Sequence, residues 1–363
     1  MIHSKAIRIV EFMKEMNVTH LPRNISWLLL LLMPTLVWGQ GGGDFVQTIG
    51  NAPSLGTIRS MSANEIIISS NGRDLKVPVN ELKNVSFRNE PSELKRARLD
   101  IANGNYNAAL TKLRKLEKTE LQSAYVKQDM EFYEAFAGSQ LALAGALNPK
   151  EVAAKMFSFV KTSPDNYHYY EALDVLGRLA LAMGKYSIAE GFFGKLARAP
   201  WKNLQWKAIS LRATAQLQQG KHSEALRNFE QVANSDIGGV AGERQKSLAQ
   251  VGMVACWSQT GETERGIELA KEVIKQAEPD EIELNARVYN ALGNCFLKQK
   301  KLKYALLAFL QTDLLYQGQG DAHAEALYQL TKLWQQLDKH DRARQARNVL
   351  KERYSNSLWA KRM

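Results

Sequence analysis

The stretch 288–312 constrains the fold of this chain more than any other. Tyr289, Leu292, Gly293 and Phe296 recur three or four residues apart, so they share one face of a helix. A polar break at 298–301 follows, and Ala305, Phe309 and Thr312 then share one face of a second helix. The break is short enough to make the two helices antiparallel, and the small side chains of Gly293 and Ala305 allow their close approach. One such hairpin cannot bury its own apolar face, so copies are required. They are present at matched offsets. Gly104, Tyr106, Ala109, Leu113 and Leu116 form one. Gly184, Tyr186, Ala189, Phe193 and Leu196 form another, as do Gly220, His222, Ala225, Phe229 and Val232. Weaker copies carry Gly261, Thr263, Gly266, Ala270 and Val273, or Ala153, Phe157 and Val160 with Pro164 closing the helix. The last has His340, Ala343 and Leu350, with Arg347 where an aromatic belongs.

An aromatic-Leu-Gly-aromatic face, a turn, then Ala and Phe four residues apart resembles the tetratricopeptide repeat. The resemblance covers residues 92–354. It implies a mainly α chain, an α-solenoid of about seven hairpins, with copies spaced by about 36 to 44 residues rather than a strict 34. It also implies that the first helix of each hairpin lines a concave face that holds a partner protein or peptide, as repeat proteins use that extended surface. On that face Arg287, Asn290, Asn294 and Leu297 form one stripe, and Glu325, Tyr328, Lys332 and Gln335 form the next. Asparagine amides donate to and accept from a peptide backbone. Tyr328 offers a flat contact with little entropy to lose, and Arg287 and Lys332 favour an acidic residue. The set departs from the carboxylate-gripping groove of chaperone-binding repeats, because Asn290 stands where a Lys belongs. Should the groove lie elsewhere on the first-helix face, Asp174, Arg178 and Lys207 mark its expected alternative position.

Ahead of the repeats the pattern changes. Residues 27–38 are an uncharged apolar run after a polar, basic lead, and Gly39 begins a glycine-rich segment. This reads as a secretory signal peptide over 1–39, too short for a span that needs about 20 apolar residues. The expectation is an exported protein, periplasmic or extracellular. Residues 40–54 read as a linker. Residues 55–90 read as a small β module, with strands at 57–61, 65–69, 76–79 and 84–88, and with Asn71-Gly72 as a two-residue hairpin turn. That module resembles an SH3-like or Sm-like barrel. Phe87 is its one aromatic, whereas peptide-reading and base-stacking surfaces need several. The solenoid then fills 91–354, and 355–363 is a basic tail in which Trp359 is placed to cover the last apolar face.

Net charge is +11. Such a balance favours acidic partners or anionic surfaces. It leaves a second function class, a binder of anionic polymer (nucleic acid or acidic glycan) through the β module, behind the leading one. Phosphate-loop, HExxH, GxSxG and CxxC motifs are absent from the sequence, and its six histidines are scattered. No catalytic, metal or cofactor residue is therefore assigned, and neither a cofactor nor a small-molecule substrate is expected. Membrane contact is expected only from the signal segment or the basic C-terminus. Cys256 and Cys295 are too few for a disulfide framework and occupy small-residue helix positions, so both are expected free and buried. The expectation is a non-enzymatic scaffold.

Overall fold

In a computed structural model of the protein, the described residues are 42–117 and 121–363. The expected leader at 1–39 lies outside them. Residues 42–363 form one compact unit.

Five antiparallel strands come first: β1 (Asp44–Thr48), β2 (Ser54–Met61), β3 (Glu65–Ser70), β4 (Arg73–Pro78) and β5 (Leu82–Ser86), in the order β4-β3-β2-β1-β5. The β3–β4 turn is the expected one. Asn71 and Gly72 both take positive φ, 51° and 76°, as a two-residue turn matching the twist of a hairpin requires. Two expectations are corrected here. The linker at 40–54 contains β1, whose Phe45 and Val46 pair with Leu55 and Ser54 on one side and Ser86 and Val85 on the other. Its glycine-rich surroundings hide a strand with a single fully buried residue, Val46. The sheet is also open rather than a barrel, since β4 and β5 are its two edges. Helices cover the face that closure would have protected. Val46, Ile58, Ile66, Ile68, Val77, Val85 and Phe87 share one core with Leu94, Ala97, Leu110 and Leu113 of the first hairpin. The sheet is thus built into the start of the helical stack and does not form a core of its own.

The described residues hold fifteen helices. The first helices of successive hairpins are α1 (Ser92–Ala102), α3 (Ala124–Leu143), α5 (Tyr169–Ala182), α7 (Lys202–Gln218), α9 (Gly239–Thr260), α11 (Ile282–Lys298) and α13 (Gly320–Gln336). Their second helices are α2 (Tyr106–Leu116), α4 (Pro149–Thr162), α6 (Tyr186–Leu196), α8 (His222–Ala233), α10 (Thr263–Gln276), α12 (Leu302–Leu315) and α14 (His340–Arg353), and a short α15 (Leu358–Lys361) closes the chain. Six second helices begin at the residue the repeat offsets give. The residue two before each takes a left-handed turn: Gly104, Gly184, Gly220 and Gly261, with Lys300 and Asp338 in the same role without glycine's freedom.

The apolar positions pack as their spacing demands. Ala305 and Phe309 are fully buried. A β-carbon on Gly293 would lie 2.8 Å from the Phe309 ring, and one on Gly177 2.3 Å from Phe193. These glycines are therefore required by close approach rather than by backbone freedom. The α4 register is shifted. Met156 and Phe159 are buried, whereas Phe157 is 50% exposed.

Candidate partner-binding face

The expected stripes fall on adjacent first helices. Helices α9, α11 and α13 lie side by side, and charge runs across them as a ladder. Arg244 Nη2 meets Glu283 Oε2 at 3.0 Å; Arg287 Nε donates to Glu283 Oε1 at 3.3 Å and its Nη2 to Asp321 Oδ2 at 2.9 Å. The two groups meet at the surface, Arg287 half-buried and Asp321 exposed. Each holds the other ionised, so Arg287 sits above its usual range and Asp321 below.

One turn along, Asn290 and Asn294 are brought together as expected, but neither amide is free. Asn290 Nδ2 donates to the Ala322 carbonyl at 2.8 Å and to Glu325 Oε2 at 3.2 Å, and Asn294 Nδ2 donates to Glu325 Oε1 at 3.0 Å. Asn290 is buried. The expectation that these amides grip a peptide backbone is corrected: they tie α11 to α13 and hold Glu325. Burial raises the Glu325 carboxyl, and the two amides pull it back only in part. Spacing alone put Asn290 on an outer stripe. What moved it inward is the neighbouring carboxylate, which no pattern within α11 reveals.

Tyr328 and Lys332 are together and remain accessible in part. Lys332 Nζ lies 4.4 Å from the Tyr328 ring centroid, a cation–π pair, and Lys332 is exposed. The other side of Tyr328 meets Trp359 of α15, 5.2 Å between centroids. The tail also reaches distant hairpins. Asn356 Nδ2 donates to the Gly145 carbonyl at 3.1 Å, Leu358 faces Gly184, and Arg362 approaches the Tyr186 hydroxyl at 3.4 Å. His323, wholly buried, bonds Tyr354 Oη through Nδ1 at 2.7 Å and Asp313 through Nε2 at 2.8 Å, which fixes the root of the tail. The last hairpin is thereby fastened to the second and third.

Asp174, Arg178 and Lys207 also come together. Asp174 accepts from Arg178 Nε at 2.9 Å and from Lys207 Nζ at 2.6 Å. Burial alone would raise its carboxyl, yet the two cations hold it below the ordinary range. This cluster bridges α5 and α7.

A polar centre that the sequence did not single out joins sheet to stack. Arg98 on α1 donates to Glu90 at 2.7 Å and to Asp129 on α3 at 2.9 Å, and Glu90 accepts from the Phe87 amide at 3.0 Å. His168 Nε2 lies 3.3 Å from Asp129 and its Nδ1 3.1 Å from Glu171, with its ring stacked on Phe132 at 3.6 Å. Burial disfavours the imidazolium, but both carboxylates outweigh it and raise the pKa. A helical-period reading finds apolar faces and overlooks buried charge. Phe87 is itself buried here, which leaves Phe45 of β1, half-buried, as the sheet's other aromatic.

Cys256 and Cys295 are free and buried, as expected. Burial pushes their thiols up to about 12 and about 11, out of the reactive range. Among the described residues no group of His, Cys, Asp and Glu is disposed to hold a metal ion, and no helix is long and apolar enough to cross a membrane.

No family model and no curated protein matches the chain. Its fold is similar to that of solved helical-repeat proteins. One is a tetratricopeptide repeat protein from Parabacteroides merdae ATCC 43184, at 12% identity over 74% of this chain and 95% of that one, TM-score 0.52. Another is a Rap protein complexed with Competence and Sporulation Factor, at 12% identity over 74% and 76% of the two chains, TM-score 0.53. At such identity the likeness is one of fold.

Proposed function

We propose that this protein is a non-enzymatic scaffold that captures a partner protein or peptide on the first-helix face of its stack. The observation that carries the reading is the row of charged and aromatic side chains across α5, α7, α11 and α13. Half-buried ion pairs and amide bonds order that row while Tyr328, Lys332, Arg178 and Lys207 keep polar surface toward solvent. A preordered face loses little entropy on binding. The repeat fold supports the same reading, as does a Rap protein of similar fold bearing its factor. Export to the periplasm or extracellular space, with cleavage near Gln40, belongs to this proposal and rests on the apolar run at 27–38.

The test is affinity capture with Tyr328→Ala/Lys332→Glu beside the parent protein, together with circular dichroism and thermal melting. The expected result is loss of the captured protein with the helical signal unchanged. Capture at parental affinity would place the binding face elsewhere.

A further inference from the structure

Second helices turn their outer faces to solvent, and α12 differs from its neighbours. On α8, α10 and α14 the exposed positions are polar or charged, such as Glu224 and Arg227, Glu268 and Lys271, and Arg344 and Asn348. On α12 they are Tyr304, Leu307, Leu314 and Leu315, exposed by 60%, 59%, 66% and 62%. At 100° per residue these four fall within one stripe about a quarter-turn wide. The opposite face, with Ala305, Phe309 and Thr312, fills the core. Four large apolar side chains more than half exposed on one stripe make a patch of roughly the size of the largest on an ordinary monomer, and such patches are often functional.

The turn that starts α12 is strongly basic. Lys298, Lys300, Lys301 and Lys303, all exposed, crowd the turn that starts α12. Between Glu283 and Asp313 the chain contains no acidic residue at all. The nearest carboxylate bonded to this turn is Glu264, held by Gln299 Nε2 at 2.9 Å. Asp313, at the far end, is engaged by His323. The next outer helix, α14, adds Arg342 and Arg344 beside an exposed Asp341, and α10 on the other side presents Glu268 and Glu272 with Lys271 and Lys275. An apolar stripe carrying an aromatic, with a cluster of exposed lysines at its N-terminal end, is the chemistry of a surface that meets the interface of an anionic bilayer. A second copy of this chain would bring the same lysines, and the one carboxylate of its α12, Asp313, is engaged by His323.

We infer that the outer face of α12, with the lysine turn 298–303, docks the protein on an anionic lipid surface and leaves the first-helix face free for its partner. The probe is vesicles of phosphatidylcholine alone or of phosphatidylcholine with phosphatidylglycerol at three to one. The protein used is residues 42–363, one compact unit containing every apolar core described above, so that the apolar run at 27–38 cannot contribute. Co-flotation is expected with the anionic vesicles only, and to weaken with salt. Leu307→Ser/Leu314→Ser/Leu315→Ser and, separately, Lys300→Glu/Lys301→Glu/Lys303→Glu should each lower partition by at least about tenfold, with melting unchanged because every replaced side chain is exposed. Lys361→Glu/Arg362→Glu, at the tail, should leave it unchanged. Three results would overturn the inference: no flotation, flotation abolished by the tail variant but not by the α12 variants, or a dimer in light scattering that the serine variant dissolves while vesicle binding is absent.

Discussion

Phe309 packs on Gly293 where α11 and α12 meet. Its spacing from Ala305 and Gly293 places it inside, and it is fully buried against that glycine. Phe309→Ala should lower unfolding free energy by about 3–5 kcal/mol, the cost of truncating a packed ring, read from urea midpoints at constant m-value. Asn290 shows the limit. The same periodicity put it on a free stripe, yet a carboxylate 35 residues away holds it buried. Asn290→Ala should therefore cost stability, about 1–3 kcal/mol for the acceptors it leaves unpaired, and Lys332→Ala should cost none; equal melting of the two variants would return Asn290 to the surface. His168 was one of six scattered histidines by sequence and is a buried junction in the structure. Its pKa is raised in the folded state, so its contribution is complete below the unfolded value of about 6.5 and is lost as pH rises through the folded one. Between pH 6 and pH 8 the parent's urea midpoint should fall by a component missing in His168→Gln. A parallel fall in the variant would remove His168 from the account.

Among the elements, the second helices were legible to the residue because a left-handed turn, a small residue and an aromatic recur at fixed offsets. Helix α4 was not, since it replaces that set with Met156 and Phe159 and exposes Phe157. Strand β1 was missed for the opposite reason, a buried valine set in a glycine-rich context that reads as a connector. Short alternating strands suggested closure into a barrel. They carried no information that the first hairpin supplies the other half of the core. The tail is likewise legible only in three dimensions: Asn356 and Gly145 are 211 residues apart in the chain. Deleting 355–363 should leave the helical signal intact and raise amide exchange at 144–145 and 184–186, where the tail rests. Unaltered exchange there would mean the tail only caps α13.

Across the whole molecule, a sheet begins the stack, seven hairpins extend it, and the tail ties the last hairpin to the second and third. Half-buried ion pairs and amide bonds tie neighbouring first helices together along one row. Apolar surface is concentrated instead on the outer side of α12. On the function proposed above, this division would leave one face for a partner and another for a different surface. The direct measurement of the central claim is site-specific photocrosslinking, with a photoreactive residue placed singly at 207 or 332 on the first-helix face and at 271 on the outer face of α10. The account predicts that one and the same protein is crosslinked from 207 and from 332 and not from 271. Crosslinks from 271 with none from 207 and 332 would contradict it.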